Sequence, residues 1–368
     1  MKGDVRLWTG VGISAVLLAL FLLTVDVGHM VGAIVSANYW YVVPAIALYF
    51  VSILFRAVRW AELLAHIKPI GIVKLYPIVV IGYMANNILP MRLGELVRSH
   101  YLGHGEGISR ASVLMTVFVE RIMDALTLLF FVAVVSIFVP LDGLAEGLSK
   151  ILGLPSSMLM VAMSMPFVAA FVSLLVLSGH PERVERVVSA LTKPLPEGIR
   201  INVMGISKMS LDALRPLSKL KSVLKLFVLS IPIWLLESGL FILVGLSFGL
   251  QDLYDSFWLM AACMVLVTAI ANIGSSVPAA PGGLGLFELV ARETLILLPV
   301  SGIDRALAGA YVLVVHAALL LPMIGLGQIF LLKQHLSLGS IWRVSTRNTM
   351  DSGQGLEVTP TGVGDERV

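Results

Sequence analysis

Long apolar stretches alternate with short polar connections along the whole chain, and two of the stretches are interrupted by proline, glycine or asparagine. Several stretches reach the roughly 18–20 residues that an α-helix needs to cross a bilayer. The pattern predicts an all-α, polytopic integral membrane helix bundle of about seven or eight transmembrane helices with two re-entrant or broken segments. The predicted spans are residues 11–25, 39–55, 111–139, 158–177, 226–248, 257–273 and 306–332, and the two short apolar segments are residues 75–90 and 286–300.

The strongest interruption lies between residues 277 and 288. Pro278 and Pro281 remove backbone donors and prevent a continuous helix, while the neighbouring glycines allow backbone angles that other residues avoid. Broken backbone at membrane depth is tolerated only where protein buries it or where it lines a wet cavity. We therefore expect a cavity beside this segment, and the short helix that follows offers an N-terminus suited to a phosphate. The glycines are Gly282, Gly283 and Gly285.

The other interrupted segment, residues 75–90, ends in two asparagines and a proline, and Arg92, Glu95 and Arg98 follow at helical spacing. If the connections 56–74 and 181–225 are both cytoplasmic, an even number of crossings joins them. The shortest of the three intervening apolar segments, residues 75–90, is therefore predicted to be re-entrant. Two Gly/Pro-interrupted segments in corresponding halves indicate a transporter's binding site, so we expect Arg92 or Glu95 to lie near residues 281–288.

Composition supports membrane integration and excludes several kinds of chemistry. Of the 368 residues, 58% are hydrophobic and 13% are charged, whereas soluble domains carry about 25% charged residues. The single cysteine, Cys263, lies in an apolar run, so neither a disulfide framework nor a thiolate metal cluster is expected. There is no nucleotide-binding motif, no Asp-rich metal motif and no nucleophile elbow. We therefore predict no cofactor, no metal and no nucleic acid partner.

The distribution of basic residues predicts the orientation. Four basic residues follow the second predicted span and nine lie within residues 181–225, whereas the connections 26–38 and 251–256 contain no lysine or arginine. By the positive-inside rule, both termini are expected to be cytoplasmic in a multi-pass protein of the cell membrane. A retained first helix is favoured over a cleaved signal, and Trp60 suits an interfacial anchor. The four basic residues are Arg56, Arg59, Lys68 and Lys74.

Ionisable residues inside apolar runs are the candidate site residues, because such groups usually face a cavity or pair with one another. Glu120, Arg121 and Asp124 lie within the predicted span 111–139. The alternative to a binding role is a set of structural ion pairs, Arg92 with Glu95 and Arg121 with Asp124.

Three further ionisable residues carry alternatives of their own. Glu288 is the last residue of the second broken segment. Three roles are open for it, namely ligand binding, capping of the following helix and pairing with Arg292. Glu237 and His316 stand alone in apolar runs, and His316 is expected to be a packing residue. Glu237, Glu288 and His316 are the candidates for carrying a proton if translocation is coupled to an ion.

Residues 86–98, the pair Glu120 and Arg121 followed by Asp124, and residues 278–288 together resemble the lysylphosphatidylglycerol synthase transmembrane-region family, also called the flippase-like domain family. The resemblance covers about residues 5–335. It implies a compact bundle of about eight helices with re-entrant elements and a central cavity, and a role in moving lipid or lipid-linked headgroups between leaflets.

In bifunctional members of that family, a cytosolic aminoacyl-transferase domain follows the membrane domain. Here we expect residues 1–335 to form the membrane domain and residues 336–368 to be a largely disordered cytoplasmic tail. Aminoacyl transfer to phosphatidylglycerol is therefore not carried over to this chain.

The sequence favours a lipid translocase, or flippase-like protein, that binds an anionic headgroup in a central cavity, since arginine binds phosphate in a bidentate manner. Two alternatives remain open. One is a membrane-embedded lipid transferase with Glu95, Asp124 or Glu288 as base, and the other is a non-catalytic partner of a lipid-modifying synthase or glycosyltransferase on a separate chain. The predicted substrate-binding residues are Asn87, Arg92, Glu95, Arg98, Glu120, Arg121, Asp124, Pro281, Gly282, Gly283, Gly285 and Glu288.

Overall fold

The structure of the protein is a computed structural model. It describes residues 2–89, 93–139, 180–193, 196–214, 219–276, 281–298 and 303–333, with isolated positions between 146 and 172. The predicted span 158–177 and the predicted tail 336–368 lie outside the described residues apart from those isolated positions. The helices in chain order are α1 (Lys2–Leu23), α2 (Val27–Ser36), α3 (Val42–Leu64), α4 (Ile72–Ile88), α5 (Gly94–Glu106), α6 (Arg110–Val135), α7 (Pro181–Thr192), α8 (Glu197–Leu214), α9 (Leu220–Ser247), α10 (Phe257–Gly274), α11 (Leu286–Leu297) and α12 (Arg305–Lys333).

The described residues contain helices and no strands, as the sequence predicts, and they have the character of a membrane bundle. Four helices are long and apolar enough to cross a membrane, namely α3 with the turn before it, α9, α10 and α12. The pair α1–α2, which is bent by 89°, makes a fifth if it is counted as one span. Within the described ranges, the structure thus shows four or five such helices, against the seven or eight predicted.

The N-terminal region differs from its prediction, because residues 26–38 are not a simple connection. Asp26 accepts a hydrogen bond from the backbone N–H of His29 at 3.0 Å and thereby begins α2. An aspartate at this position satisfies a free backbone donor of the first helical turn, which favours helix after the bend. The apolar pattern of residues 11–36 is therefore divided between two helices that meet at nearly a right angle.

The prediction that Arg56, Arg59 and Trp60 lie in a loop is wrong. Helix α3 continues to Leu64, and all three side chains are buried within the bundle. Two cations can be accommodated there because carboxylates from α6 and α9 pair with them, which offsets the cost of desolvation. Of the four basic residues, only Lys68 lies in the connection between α3 and α4, Lys74 lies in the first turn of α4, and Trp60 is not an interfacial anchor.

These two lysines are themselves paired with Glu106 at the end of α5. Lys68 Nζ lies 2.8 Å from Glu106 Oε2, and Lys74 contacts the other carboxylate oxygen. Hydrogen bonds from Lys68 and Lys74 lower the pKa of the Glu106 carboxyl group. The connection between α3 and α4 and the first turn of α4 are thus joined to the C-terminal end of α5.

Helices α4 and α5 form a hairpin around the first broken segment. A Cβ atom at Gly94 would clash with the backbone oxygen of Gly82 and with the side chain of Asn86, so only glycine allows the two helices to approach this closely. The Gly94 backbone N–H donates to Asn86 Oδ1 at 2.8 Å. The hairpin packs against α12 and α6, and its re-entrance into the membrane stays a prediction.

The polar stretch 181–225 is largely helical instead of a simple loop. It contains α7, α8 and the first residues of α9, and α8 packs against α6. At the centre of the bundle, α3, α9, α10 and α12 share one apolar core, which includes Ile53, Phe241, Met264 and Tyr311. This core holds the helix faces that carry the polar side chains described next.

Candidate ligand-binding cavity

A cavity of about 150 Å³ lies where the two broken segments meet. Asn86 and Asn87 of α4 line one part of it, and Gly282 and Gly283 line another, with Asn87 and Gly282 in direct proximity. The predicted approach of the two broken segments is therefore confirmed, although Glu95 does not line the cavity and Arg92 lies outside the described residues. Side chains from α3, α6, α9, α10 and α12 complete the walls.

Arg56 forms part of the wall and connects α3 with three other helices, α4, α6 and α9. Its guanidinium donates to Glu237 Oε2 at 2.7 Å and to the Tyr83 hydroxyl at 3.0 Å, and it lies 3.5 Å from Asp124 Oδ2. It also stacks over the Trp234 ring at 4.7 Å. A guanidinium that contacts carboxylates and aromatic rings together is held in one orientation, and Arg56 is held in this way at the cavity wall.

Arg59 lies one turn further along α3 and is fully buried behind this wall. It donates to Asp124 Oδ1 at 2.8 Å and to the Ser230 hydroxyl at 2.6 Å. Trp234 Nε1 donates to the same carboxylate oxygen at 3.2 Å. Asp124 Oδ1 therefore accepts two hydrogen bonds, from α3 and α9, which makes Asp124 a structural anchor of the wall.

Arg98 and Glu120 form a second buried ion pair, at 2.8 Å, between α5 and α6. The Arg98 guanidinium stacks over the Trp60 ring at 4.0 Å, and Trp60 Nε1 donates to the Thr116 hydroxyl at 3.0 Å. This pair lies beside Arg59, whose second terminal nitrogen is 3.9 Å from Glu120. We call Arg56, Arg59, Arg98, Glu120, Asp124 and Glu237 the buried network.

Arg121 differs from the arginines of the buried network because its side chain is 27% exposed and faces the cavity. It donates to the Tyr83 hydroxyl at 3.0 Å, so Tyr83 accepts from both Arg56 and Arg121. Its two carboxylate contacts, with Glu95 and Asp124, are long at 3.5 and 3.6 Å. Arg121 is thus a cation whose hydrogen-bonding capacity is only partly used by the described residues.

The opposite wall carries a histidine and a carboxylate. His316 Nδ1 lies 2.6 Å from Glu288 Oε1, and His316 Nε2 lies 3.0 Å from the Gly282 carbonyl oxygen. Phe287 stacks on the imidazole with ring centroids 4.3 Å apart. The sequence-based interpretation of His316 as a packing residue is therefore incomplete, because this side chain both packs and binds the broken backbone at the cavity.

Glu288 is the helix cap that the sequence allowed, and it does not pair with Arg292. The backbone N–H of Gly285 donates to Glu288 Oε2 at 2.7 Å, where Gly285 adopts a φ of +87°. Arg292 instead donates to the Phe21 carbonyl oxygen at 3.0 Å and pairs with Glu293 at 2.7 Å. The positive φ of Gly285 and its close contact with α1 show that this glycine shapes the turn and faces away from the cavity.

The predicted site residues differ in how close they lie to the cavity. Asn87, Arg121, Gly282 and Gly283 line the cavity. Glu95, Asp124 and Glu288 contact residues that line it, and Arg98 and Glu120 lie one layer behind. Pro281 begins the one-turn 3-10 helix Pro281–Gly283, Gly285 packs against α1, and Arg92 lies outside the described residues.

Sequence reasoning missed several residues of the cavity wall. The most important are Arg56 and Tyr83, followed by Tyr49, Trp234, Asn272 and Ser275. A signal for Arg56 and Arg59 was present, since they are three residues apart on one helical face of an apolar run that continues to Leu64. Tyr83 and Trp234 carry no such signal, because an aromatic residue in an apolar helix is usually part of a core.

The fold and the cavity together define a polytopic helical membrane protein with a polar, ion-paired site at the junction of two broken segments. The family described as the lysylphosphatidylglycerol synthase TM region matches residues 7–327, and the chain belongs to this family.

Two relatives of similar size are named only as membrane proteins. A UPF0104 membrane protein of Methanothermobacter thermautotrophicus is 26% identical over 311 residues, covering 81% of this chain and 86% of that protein. The UPF0104 membrane protein PH1989 of Pyrococcus horikoshii is 25% identical over 307 residues, covering 81% and 88%.

A third relative is longer. Glycosyltransferase AglD of Haloferax volcanii is 23% identical over 332 residues, covering 85% of this chain and 52% of AglD. This chain therefore spans about half the length of AglD. No solved structure matches the chain.

Proposed function

We propose that the protein binds the anionic headgroup of a membrane lipid, or of a lipid-linked molecule, in the cavity and moves it between leaflets. The observation that carries this proposal is Arg121, a partly exposed guanidinium beside Arg56 in a polar cavity within an otherwise apolar bundle. Guanidinium groups bind phosphate in a bidentate manner, and the long carboxylate contacts of Arg121 leave it able to do so.

The size of the cavity fits a headgroup better than a whole lipid. Sites that enclose drug-sized ligands have volumes of about 300–1,000 Å³, whereas this cavity has about 150 Å³. A headgroup can be enclosed while the acyl chains stay in the surrounding bilayer, where their transfer costs little free energy. The apolar outer faces of the helices are compatible with that arrangement.

The test compares variants of Arg121 in vesicles of phosphatidylcholine that contain a trace of phosphatidylglycerol labelled on one acyl chain. Movement of the label between leaflets is followed by adding a membrane-impermeant quencher. Arg121→Ala removes a charge-assisted hydrogen bond worth about 1.5–3 kcal/mol and should slow movement about tenfold or more. Arg121→Lys should recover only part of the rate, because an ammonium group cannot bind phosphate with two parallel bonds.

The matched control is Arg305→Ala, which removes an exposed arginine at the start of α12. The Arg305 side chain lies 3.6 Å from Glu293. This variant should move lipid at the wild-type rate. The proposal is contradicted if wild-type protein moves the labelled lipid no faster than protein-free vesicles, or if Arg121→Ala retains the full rate. Melting temperatures measured on the same preparations separate lost transport from lost folding.

The alignment with part of AglD favours a second candidate function, in which the chain is the membrane partner of a lipid-modifying glycosyltransferase on a separate chain. That function predicts that deleting the protein lowers the glycosylation of a membrane lipid even though purified protein moves no lipid. Lipid extracts from cells with and without the chain, analysed by mass spectrometry, distinguish the two functions.

The orientation of the chain is part of the proposal. The nine basic residues of 181–225, with Lys68 and Lys74, favour a cytoplasmic position for these connections and for both termini of a cell-membrane protein. Cysteine labelling in intact cells tests this orientation, and accessibility of residues 197–214 from outside the cell would contradict it.

A further inference from the structure

The hydrogen bonds of His316 fix the number of protons at this wall of the cavity. His316 Nε2 lies 3.0 Å from the carbonyl oxygen of Gly282, and a carbonyl oxygen can only accept, so Nε2 carries a hydrogen. His316 Nδ1 lies 2.6 Å from Glu288 Oε1, a distance that requires a hydrogen between the two atoms. Both contacts are hydrogen bonds at the same time only when the pair holds one proton more than a neutral histidine beside an ionised glutamate.

Loss of that proton would leave the Nδ1 lone pair facing a carboxylate. Neither side chain can turn away easily, because Phe287 stacks on the imidazole and the Gly285 N–H holds the second oxygen of Glu288 at 2.7 Å. His316 is 4% and Glu288 1% exposed, so water screens this contact weakly. The geometry thus defines a proton-binding site that adjoins the ligand cavity.

The charged and titratable groups around the cavity respond to protons differently. Arg56 and Arg121 stay charged at any physiological pH, and Glu237 is held by Arg56 at 2.7 Å. Tyr49 and Tyr83 complete the titratable groups among the described residues that line the cavity with His316. Arg292, on the same helix as Glu288, is turned towards Phe21 and Glu293.

We propose that the His316–Glu288 pair binds a proton together with the anionic headgroup, so that each anion is translocated with one proton. This inference rests on the proposed function. With its proton, the pair has no net charge, and without it the pair carries one negative charge beside the cavity. A negative charge there repels an anion, and by linkage a bound anion must favour the protonated pair to the same extent.

Proton uptake on binding is the direct measurement. The full chain in detergent is titrated with dioctanoyl phosphatidylglycerol, whose phosphodiester does not titrate near neutral pH, in two buffers of different ionisation enthalpy. At the pH where uptake is greatest, wild-type protein should take up close to one proton per lipid bound. Its Kd should there rise by about tenfold per pH unit, as expected for one linked proton.

Two variants assign the proton to the pair. His316→Gln and Glu288→Gln each remove one titrating partner while keeping a side chain that can form hydrogen bonds. In the His316→Gln variant, proton uptake near neutral pH should fall to near zero, and the Kd should become nearly independent of pH there. Glu288→Gln leaves the imidazole without its carboxylate partner, so proton uptake should move to lower pH than in wild type. Arg305→Ala should behave as wild type. Proton uptake is also measured on wild-type protein, so that measurement can contradict the proposal even if neither variant folds.

The outcomes separate this inference from the function on which it rests. If wild-type protein binds the lipid without proton uptake and with a constant Kd, proton coupling is wrong while headgroup binding stands. If a folded His316→Gln variant takes up as many protons as wild type, the proton belongs elsewhere, with Glu237 the next group to replace. If wild-type protein binds no lipid at any pH, the proposed function fails, and the coupling fails with it.

Discussion

The two walls of the cavity hold charge in opposite ways. The wall formed by α3, α6 and α9 contains guanidinium–carboxylate pairs at 2.7–2.8 Å, and guanidinium groups do not lose their protons at physiological pH. The wall formed by α11 and α12 contains one imidazole–carboxylate pair, His316 with Glu288 at 2.6 Å, which is the pair proposed to bind a proton. If the proposed proton coupling holds, the affinity of the cavity for anions changes without a change of shape, because one wall keeps its charges and the other gains or loses one.

The largest expected effect comes from breaking the fixed wall. Arg59→Ala removes the 2.8 Å partner of the buried Asp124, whose remaining guanidinium contacts, with Arg56 and Arg121, are longer, at 3.5 and 3.6 Å. Removing one member of a buried pair costs about 3–5 kcal/mol, because the other charge stays desolvated. We expect a sharp fall in the melting temperature in detergent. The partly exposed Arg121 provides the comparison, since Arg121→Ala should lower the melting temperature far less. Equal losses would contradict the distinction between the two arginines.

A smaller effect on stability is expected at Arg98 and Glu120, which form the second buried ion pair. Arg98→Leu and Glu120→Leu each leave one buried charge, whereas the double variant leaves none. Replacing a whole buried pair by apolar residues is often neutral or stabilising by about 1–4 kcal/mol. Urea or thermal unfolding of all four proteins should therefore show the double variant to be more stable than either single variant. If the losses simply add, the two residues do not act as a pair.

The smallest loss of stability is expected where Glu106 pairs with two exposed lysines. Replacing Glu106 tests whether burial causes the large loss of stability expected at Arg59. Glu106→Gln removes contacts with Lys68 and Lys74, whose side chains are largely exposed, so we expect little loss of stability. The lowered pKa of Glu106 means that its pairing stabilises the fold above the ordinary glutamate pKa of about 4.3 and that this contribution is lost as the pH falls through the lowered value. The difference in unfolding free energy between wild type and Glu106→Gln should therefore approach zero as the pH is lowered.

The sequence predicted most helices of the fold because run length and hydropathy are local properties. The predicted spans 226–248, 257–273 and 306–332 agree closely with α9, α10 and α12. The meeting of the two broken segments could also be predicted, since free backbone groups at membrane depth need a shared polar environment. The length of α3 could not, because two arginines in an apolar run favour a helix end unless their distant partners are known.

The pairings within the site depended on three-dimensional information that the sequence does not contain. Arg56 and Glu237 are 181 residues apart, and nothing in either neighbourhood indicates the other. Arg121 and Asp124 were assigned to each other from helical spacing, and they do lie 3.6 Å apart, but the shorter contacts of Asp124 come from α3 and α9. Local spacing finds the contacts within a helix, whereas the stronger partners lie on other helices.

The separation of these partners along the chain has a consequence for biosynthesis. Arg56 and Arg59 leave the ribosome 65 to 68 residues before Asp124, and Arg56 leaves it 181 residues before Glu237. At about 5–20 residues per second, roughly 10 to 35 seconds pass before Glu237 is made. During that time α3 carries two cations with no completed partner set, so it should remain at the insertion machinery or pair early with α6. Truncated chains ending before Asp124 should therefore integrate α3 less stably than chains that include α6.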